Sequence, residues 1–336
     1  MKKVVLILGV YLAAAVGGAT AQTQVGSTIG TFLRIEPGAR GAALGNAGSA
    51  LPGGVDAVYY NVGALGLLEE AAVQYSHSMW FADISHDYFA AALPVTGVGN
   101  FFVSVTALNS GEIDVRTVES PLGTGERYTV SNVALGVGFG KRITSRFAAG
   151  LQANYVTERI WTASDKMMTF NLGTTYLLSE GGARLAFSLA NLGTRARYTG
   201  SGLGIQYDPD PDSYGDNSSL PAEQSTDRFP LPGLFRLGLS VPYQVSKESA
   251  LLLLVEGLHP NDNSESMNLG VEWKLRRLLA LRAGYQTLFQ TDGELGLTLG
   301  FGVEGDLGRS RYALDYAWAG HEHLEDTHRV TMVIDF

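Results

Sequence analysis

The chain has 336 residues, 42 of them glycine, no cysteine, 17% charged residues and a formal net charge of −9. The acidic balance argues against a nucleic-acid partner, whose phosphates require a basic face. Without cysteine there are no disulfides, thiolate metal sites, thiol nucleophiles or lipidated cysteine anchors.

Residues 1–21 read as a cleaved signal peptide: Lys2 and Lys3, an apolar stretch from Val4 to Val16, and Ala19-Thr20-Ala21 as the small-x-small site. No later apolar run approaches the roughly 20 residues of a spanning helix. A membrane-embedded mature chain must therefore cross as strands. Residues 22–37 form a polar lead ending at Pro37, and 38–70 are rich in Gly and Ala with little alternation. Together 22–70 are expected to form a plug or hatch, and 71–336 the barrel.

From Ala71 onward about fourteen strands are predicted, near 71–79, 86–94, 98–108, 127–140, 145–161, 166–178, 183–197, 234–244, 249–258, 266–275, 279–288, 294–304, 310–319 and 327–336. The alternation is clearest from Met267 to Leu275, where odd positions are large and apolar and even ones small, polar or charged. A strand with one greasy and one polar face separates two media. In an exported chain of this length the apolar medium is lipid. The fold class is thus all-β, a transmembrane antiparallel barrel.

Connection lengths carry a second signal. Even-numbered connections are all short (95–97, 141–144, 179–182, 245–248, 276–278 and 305–309), while the odd ones include 109–126 and 198–233. Short periplasmic turns and long external loops are the habit of outer-membrane barrels. That parity predicts a bacterial outer-membrane protein with both chain ends on the periplasmic side, in contact with membrane lipid.

A charge facing lipid costs roughly 2–4 kcal/mol at the midplane for Lys or Arg. Arg236, Glu256, Glu272, Arg282, Glu294, Glu304, Arg311, Asp315 and Arg329 are therefore assigned to the lumen. Trp80, Tyr88, Tyr128, Trp161, Tyr243 and Trp318 lie near predicted strand ends, where an aromatic girdle belongs. In the 38–65 region, Arg40, Asn46, Asp56, Tyr59, Tyr60 and Asn61 are the candidate plug residues, some placed to cap turns.

The loop 198–233 is too long for an ordinary link. Its Tyr207, Asp208, Asp210, Asp212, Tyr214 and Phe229 suit contact with a protein partner. Asp208, Asp210, Asp212 and Asp216 offer hard oxygens, but the spacing lacks the Gly and terminal Glu of an EF-hand. His321 and His323 are a two-ligand pair without a third. No nucleophile motif accompanies the Ser, His and Asp residues, so neither enzyme activity nor a cofactor is expected.

Two stretches resemble a known family. Phe32-Leu33-Arg34-Ile35-Glu36-Pro37-Gly38-Ala39-Arg40, with Ala43-Leu44-Gly45-Asn46-Ala47 and Asp56-Ala57-Val58-Tyr59-Tyr60-Asn61, resembles the N-terminal signature of the PorV/PorQ outer-membrane proteins. These are part of the wider FadL-like barrel group. Leu314-Asp315-Tyr316-Ala317-Trp318 and the run from Leu324 to Phe336 are similar to that family's last hairpin. This chain departs from the pattern after Asn61, reading Val62-Gly63-Ala64-Leu65 where the family usually has Pro-Ala. The resemblance implies fourteen strands with the N-terminal segment folded into the lumen. It implies one of two functions. One is a partner of a type IX-like secretion system that receives cargo C-terminal sorting domains and works with the translocon. The other is a FadL-like channel for hydrophobic small molecules. Phe336 resembles the terminal aromatic of the strand signal by which outer-membrane barrels are recognised for insertion.

Overall fold

The computed structural model describes residues 25–210, 212, 219–276, 278–290 and 293–336. The expected signal peptide and Tyr214 lie outside the described residues. The wall is fourteen antiparallel strands: β1 Ala72–Met79, β2 Ser85–Val95, β3 Gly99–Asn109, β4 Val130–Arg142, β5 Phe147–Ile160, β6 Ala163–Leu177, β7 Arg184–Gly193, β8 Leu234–Ser246, β9 Ser249–Pro260, β10 Ser266–Leu275, β11 Leu279–Leu288, β12 Leu295–Leu307, β13 Ser310–His321 and β14 Thr327–Asp335. Each pairs with its neighbours in sequence, and β14 returns to β1 with Met332 opposite Tyr75. Closure leaves no sheet edge, the condition for strands to sit in hydrocarbon.

The alternation sets the two faces. Val103, Leu151, Leu172, Leu253, Leu299 and Met332 are exposed on the outside. Ser104, Gln152, Asn154, Asn268, Glu272 and Arg282 are buried on the inside. One end of the barrel carries six short turns, from 96–98 to 308–309, and both ends of the wall, where the Phe336 N–H donates to Ala71 O at 2.8 Å. We call it the turn end. The other, the loop end, carries 110–129 and 194–233. Two ribbons rise there, Ile113–Asp114 with Arg127–Tyr128 and Gly204–Tyr207 with Leu220–Glu223.

Residues 25–70 run through the lumen. Their regular pieces are short: 3-10 turns at Thr31–Arg34, Val55–Ala57 and Val62–Leu67, and helix α1, Ala39–Ala43. The segment starts at the loop end, where Ile29 and Phe32 pack against Val156, Met167 and Leu231. It crosses the middle with α1 against β11 to β14, and reaches the turn end with Val62–Leu67 against β4, β5 and β6. Small residues permit this approach. A Cβ on Gly63 would stand 2.7 Å from Thr174 Cα. Gly45 has φ +63°, and a Cβ there would lie 2.5 Å from Leu269 O and 2.7 Å from Tyr285 N. Both the left-handed backbone and the absent side chain are needed at Gly45. Gly45→Ala should therefore cost more than the roughly 1–2 kcal/mol of a left-handed alanine alone. The urea midpoint of the purified protein in detergent reads this, and an unchanged midpoint would mean the segment does not press on β10 and β11.

The structure corrects some placements. Tyr88 is buried against the lumenal segment beside Ala90 and Ala92, because it shares their parity while Phe89 points outward. Trp80 also turns inward and lines a lumenal cavity. Trp161 and Tyr243 are exposed as the girdle requires, and Tyr128 packs on Trp161 at 5.7 Å. Glu294 is not in the lumen. It sits exposed at the loop end, where it pairs with His323 at 3.0 Å. Glu304 and Arg311 lie at the turn-end rim, bound to Lys274 and Glu70. Charges at strand ends can reach water without entering the barrel, so parity alone does not assign them.

Candidate functional site

The site is the lumen, and two charge networks organise it. Toward the turn end, Arg40 of α1 grips Glu272 of β10 with two bonds, Nε to Oε2 at 2.9 Å and Nη2 to Oε1 at 3.0 Å. Its Nη1 donates to Asp56 Oδ2 and to Pro52 O, each at 3.1 Å. Arg282, opposite Glu272 across β10 and β11, donates to Glu272 at 2.7 Å and to Asp315 at 2.6 Å. The five groups form one chain from the lumenal segment into the wall. Burial disfavours the charged form of Arg40, but Glu272 and Asp56 outweigh it and hold the guanidinium well above the usual arginine pKa.

Toward the loop end, Arg236 of β8 donates to Glu256 at 3.0 Å and to Glu36 at 3.1 Å. The other Glu256 oxygen accepts from the Ser49 N–H at 2.6 Å. The Arg236 guanidinium lies 5.5 Å from the ring centre of Tyr60. Tyr60 in turn donates to Asn46 Oδ1 at 2.9 Å, and burial pushes its hydroxyl pKa up. Asn46, with φ +56°, spends its amide on Gln286 at 2.8 Å and Glu36 at 3.2 Å. Tyr59 donates to Leu33 O and Ile35 O, tying the two arms of the segment together. Asn61 accepts from the Gly63 N–H at 2.8 Å as an N-cap. Its amide reaches Ser49 O and Thr174 O, each at 2.9 Å.

All six residues singled out between 38 and 65 thus converge in the lumen. Glu36, Arg34 and Glu158 were not among the site residues expected. Arg34 pairs with Asp262 at 2.6 Å, and Glu158 accepts from the Gly30 N–H and Tyr198 OH, each at 3.1 Å. Glu36 lies inside the motif that carries the resemblance, between Ile35 and Pro37, which is the signal that points to it. The loop residues do not converge. Tyr207, Asp210 and Asp212 are exposed, and Asp208 accepts from the Asp210 N–H at 3.1 Å within its own turn. Phe229 packs inward against the cluster of Ile29 and Phe32 instead of facing a partner, because its backbone pairs with Ala196 and draws the loop's base over the mouth. Among the described residues no three His, Asp or Glu side chains gather to hold a metal ion.

The lumenal segment divides the interior into separate spaces. At the loop end a cavity of about 230 Å³ is lined by Arg34, Glu36, Trp80, Leu258, His321 and Arg329, among others. A void of about 40 Å³ lies between Tyr59 and the polar wall residues Gln152, Asn154 and Asn171. At the turn end a vestibule of about 370 Å³ is lined by Arg40, Asp56, Arg282, Glu304, Arg311 and Asp335. Residues 25–70 stand between these two end spaces.

No protein-family model matches the chain, and no curated protein does. Solved structures match across nearly all of it. The toluene transporter TodX of Pseudomonas putida has 13% identity and a TM-score of 0.53, covering 88% of this chain and 96% of that one. The toluene transporter TbuX of Ralstonia pickettii has 14% identity and a TM-score of 0.53, covering 90% and 98%. The monoaromatic hydrocarbon channel CymD has 11% identity and a TM-score of 0.54, covering 90% and 97%. At these identities the likeness shows the fold, a closed fourteen-stranded barrel of the kind found in bacterial outer-membrane proteins.

Proposed function

We propose that the protein is an outer-membrane channel for small hydrophobic compounds, with the loop end outside and residues 25–70 as its gate. The observation that carries this reading is the lumenal segment itself. It crosses the barrel from end to end and separates a loop-end cavity from a turn-end vestibule. A barrel serving only as a rigid scaffold has no need of cavities on both sides of an internal segment. The neighbours named as toluene transporters and a monoaromatic hydrocarbon channel support the same reading. No catalytic step is part of it.

A second reading, a partner of a type IX-like secretion system, is favoured by the PorV/PorQ-like motif from Phe32 to Asn61 and by the exposed ribbon Gly204–Tyr207 with Leu220–Glu223. Purification from native outer membranes, with mass spectrometry of small molecules and of proteins, separates the two. The channel reading expects a bound hydrophobic compound and no stoichiometric partner. Recovery of cargo C-terminal domains or a translocon, without a small ligand, would overturn it.

A further inference from the structure

We propose that Arg329 anchors a binding site for small organic carboxylates in the loop-end cavity. Arg40, Arg236 and Arg282 each hold two carboxylates. Arg329, 3% exposed, holds none among the described residues. Glu36, the acid that lines the same cavity, spends its two oxygens on Arg236 and Asn46. A guanidinium stays charged at any working pH. A buried cation without a counter-charge is unfavourable, so the site is complete only with an anion present.

Arg329 is the centre of a wider unpartnered group. Its own Nε, Thr327 Oγ1, His321 Nδ1, Ser78 Oγ and both ring nitrogens of His86 are buried without a hydrogen-bond partner among the described residues. The strand register brings them together. Ser78 lies opposite Arg329 on one side and opposite His86 on the other, and Thr327 is two residues from Arg329 on the same face. Arg329, Thr327 and His321 line the cavity. Trp80 covers one side of the guanidinium, its ring centre 5.0 Å from Cζ, and leaves the N–H edge for a planar acceptor. A carboxylate matches that edge with two parallel bonds.

The cavity selects further. Ile35, Leu234, Leu258 and Leu295 give it apolar walls, which suit an organic body more than a bare inorganic anion. Glu36 in the same lining favours a single negative charge over a double one. A neutral hydrocarbon would leave Arg329 and its neighbours unsatisfied. The inference goes beyond the channel reading and gives the loop-end cavity a carboxylate site distinct from the passage of neutral compounds. Binding at this mouth is measured apart from passage, so one can fail without the other.

The test is titration of benzoate into the purified full-length protein in detergent, read by calorimetry. Saturable binding is expected, unaffected by toluene and by inorganic phosphate. Arg329→Met should weaken it at least tenfold while raising the unfolding midpoint, since it removes an uncompensated charge. Arg329→Lys, which keeps the charge but loses the planar edge, should weaken binding several-fold. Absence of saturable benzoate binding, equal competition by phosphate, or unchanged affinity in both variants would overturn the proposal.

Discussion

Glu272→Ala should lower the unfolding free energy by about 3–5 kcal/mol, the range for breaking a buried ion pair and leaving charge behind. Glu272 is 2% exposed and accepts from both Arg40 and Arg282, so its removal strips one partner from each of two buried guanidiniums. Asp56 and Asp315 remain, one on each, but their geometry was set with Glu272 between them. The exposed pair Arg276–Glu248, at a similar 2.9 Å, provides the comparison. Glu248→Ala should change stability by less than about 1 kcal/mol, because water screens an exposed pair. Urea unfolding of the two variants in the same detergent checks both. Equal effects would mean the lumenal network is solvated and does not hold the segment to the wall.

Ala50→Cys combined with Gly238→Cys should form a disulfide that fixes the lumenal segment and brings ligand uptake down to the background of cells without the protein, because the covalent bond holds the path shut. A Cβ on Gly238 would lie 3.2 Å from Ala50 Cβ, close to the roughly 3.5–4.5 Å that a disulfide spans. The Ser49 hydroxyl, which crowds the same spot, has no hydrogen-bond partner among the described residues and can turn aside. The chain has no other cysteine, so the bond is unambiguous. Reduction should restore uptake, and each single cysteine should leave it intact. If the oxidised double variant transports as well as the reduced one, compounds bypass residues 38–65 and the gate lies elsewhere.

The wall was legible in the sequence because strand period and side-chain period coincide, and lipid and lumen tolerate different residues. The last strands show it best: Met332 and Val330 face outward, while Thr331 and Arg329 face in. The parity of connection lengths likewise survives folding, since it depends only on counting. Which lumenal charges meet was not legible. Arg40 and Glu272 are 232 positions apart, and only the path of residues 25–70 brings them together. The direction of that path was hidden as well. The lead 22–37 is polar in composition and was grouped with the plug, but nothing in it announced that Ile29 and Phe32, three positions apart, bury themselves at the loop-end mouth. Tyr88 and Trp80 were misplaced because an aromatic near a strand end is compatible with either face. The parity of Tyr88 with Ala90 and Ala92 carried the answer.

Uptake by intact cells reports whether the barrel is a membrane channel closed by its own N-terminal segment. The protein is expressed in a Gram-negative host that lacks such a channel, and the initial rate of radiolabelled toluene entry is compared with that of cells carrying an empty vector. With folded protein verified in the outer membrane, the rate should stand several-fold above the vector control and fall to the control level when the cysteine pair at positions 50 and 238 is oxidised. A rate equal to the vector control would mean that the barrel passes no such compound.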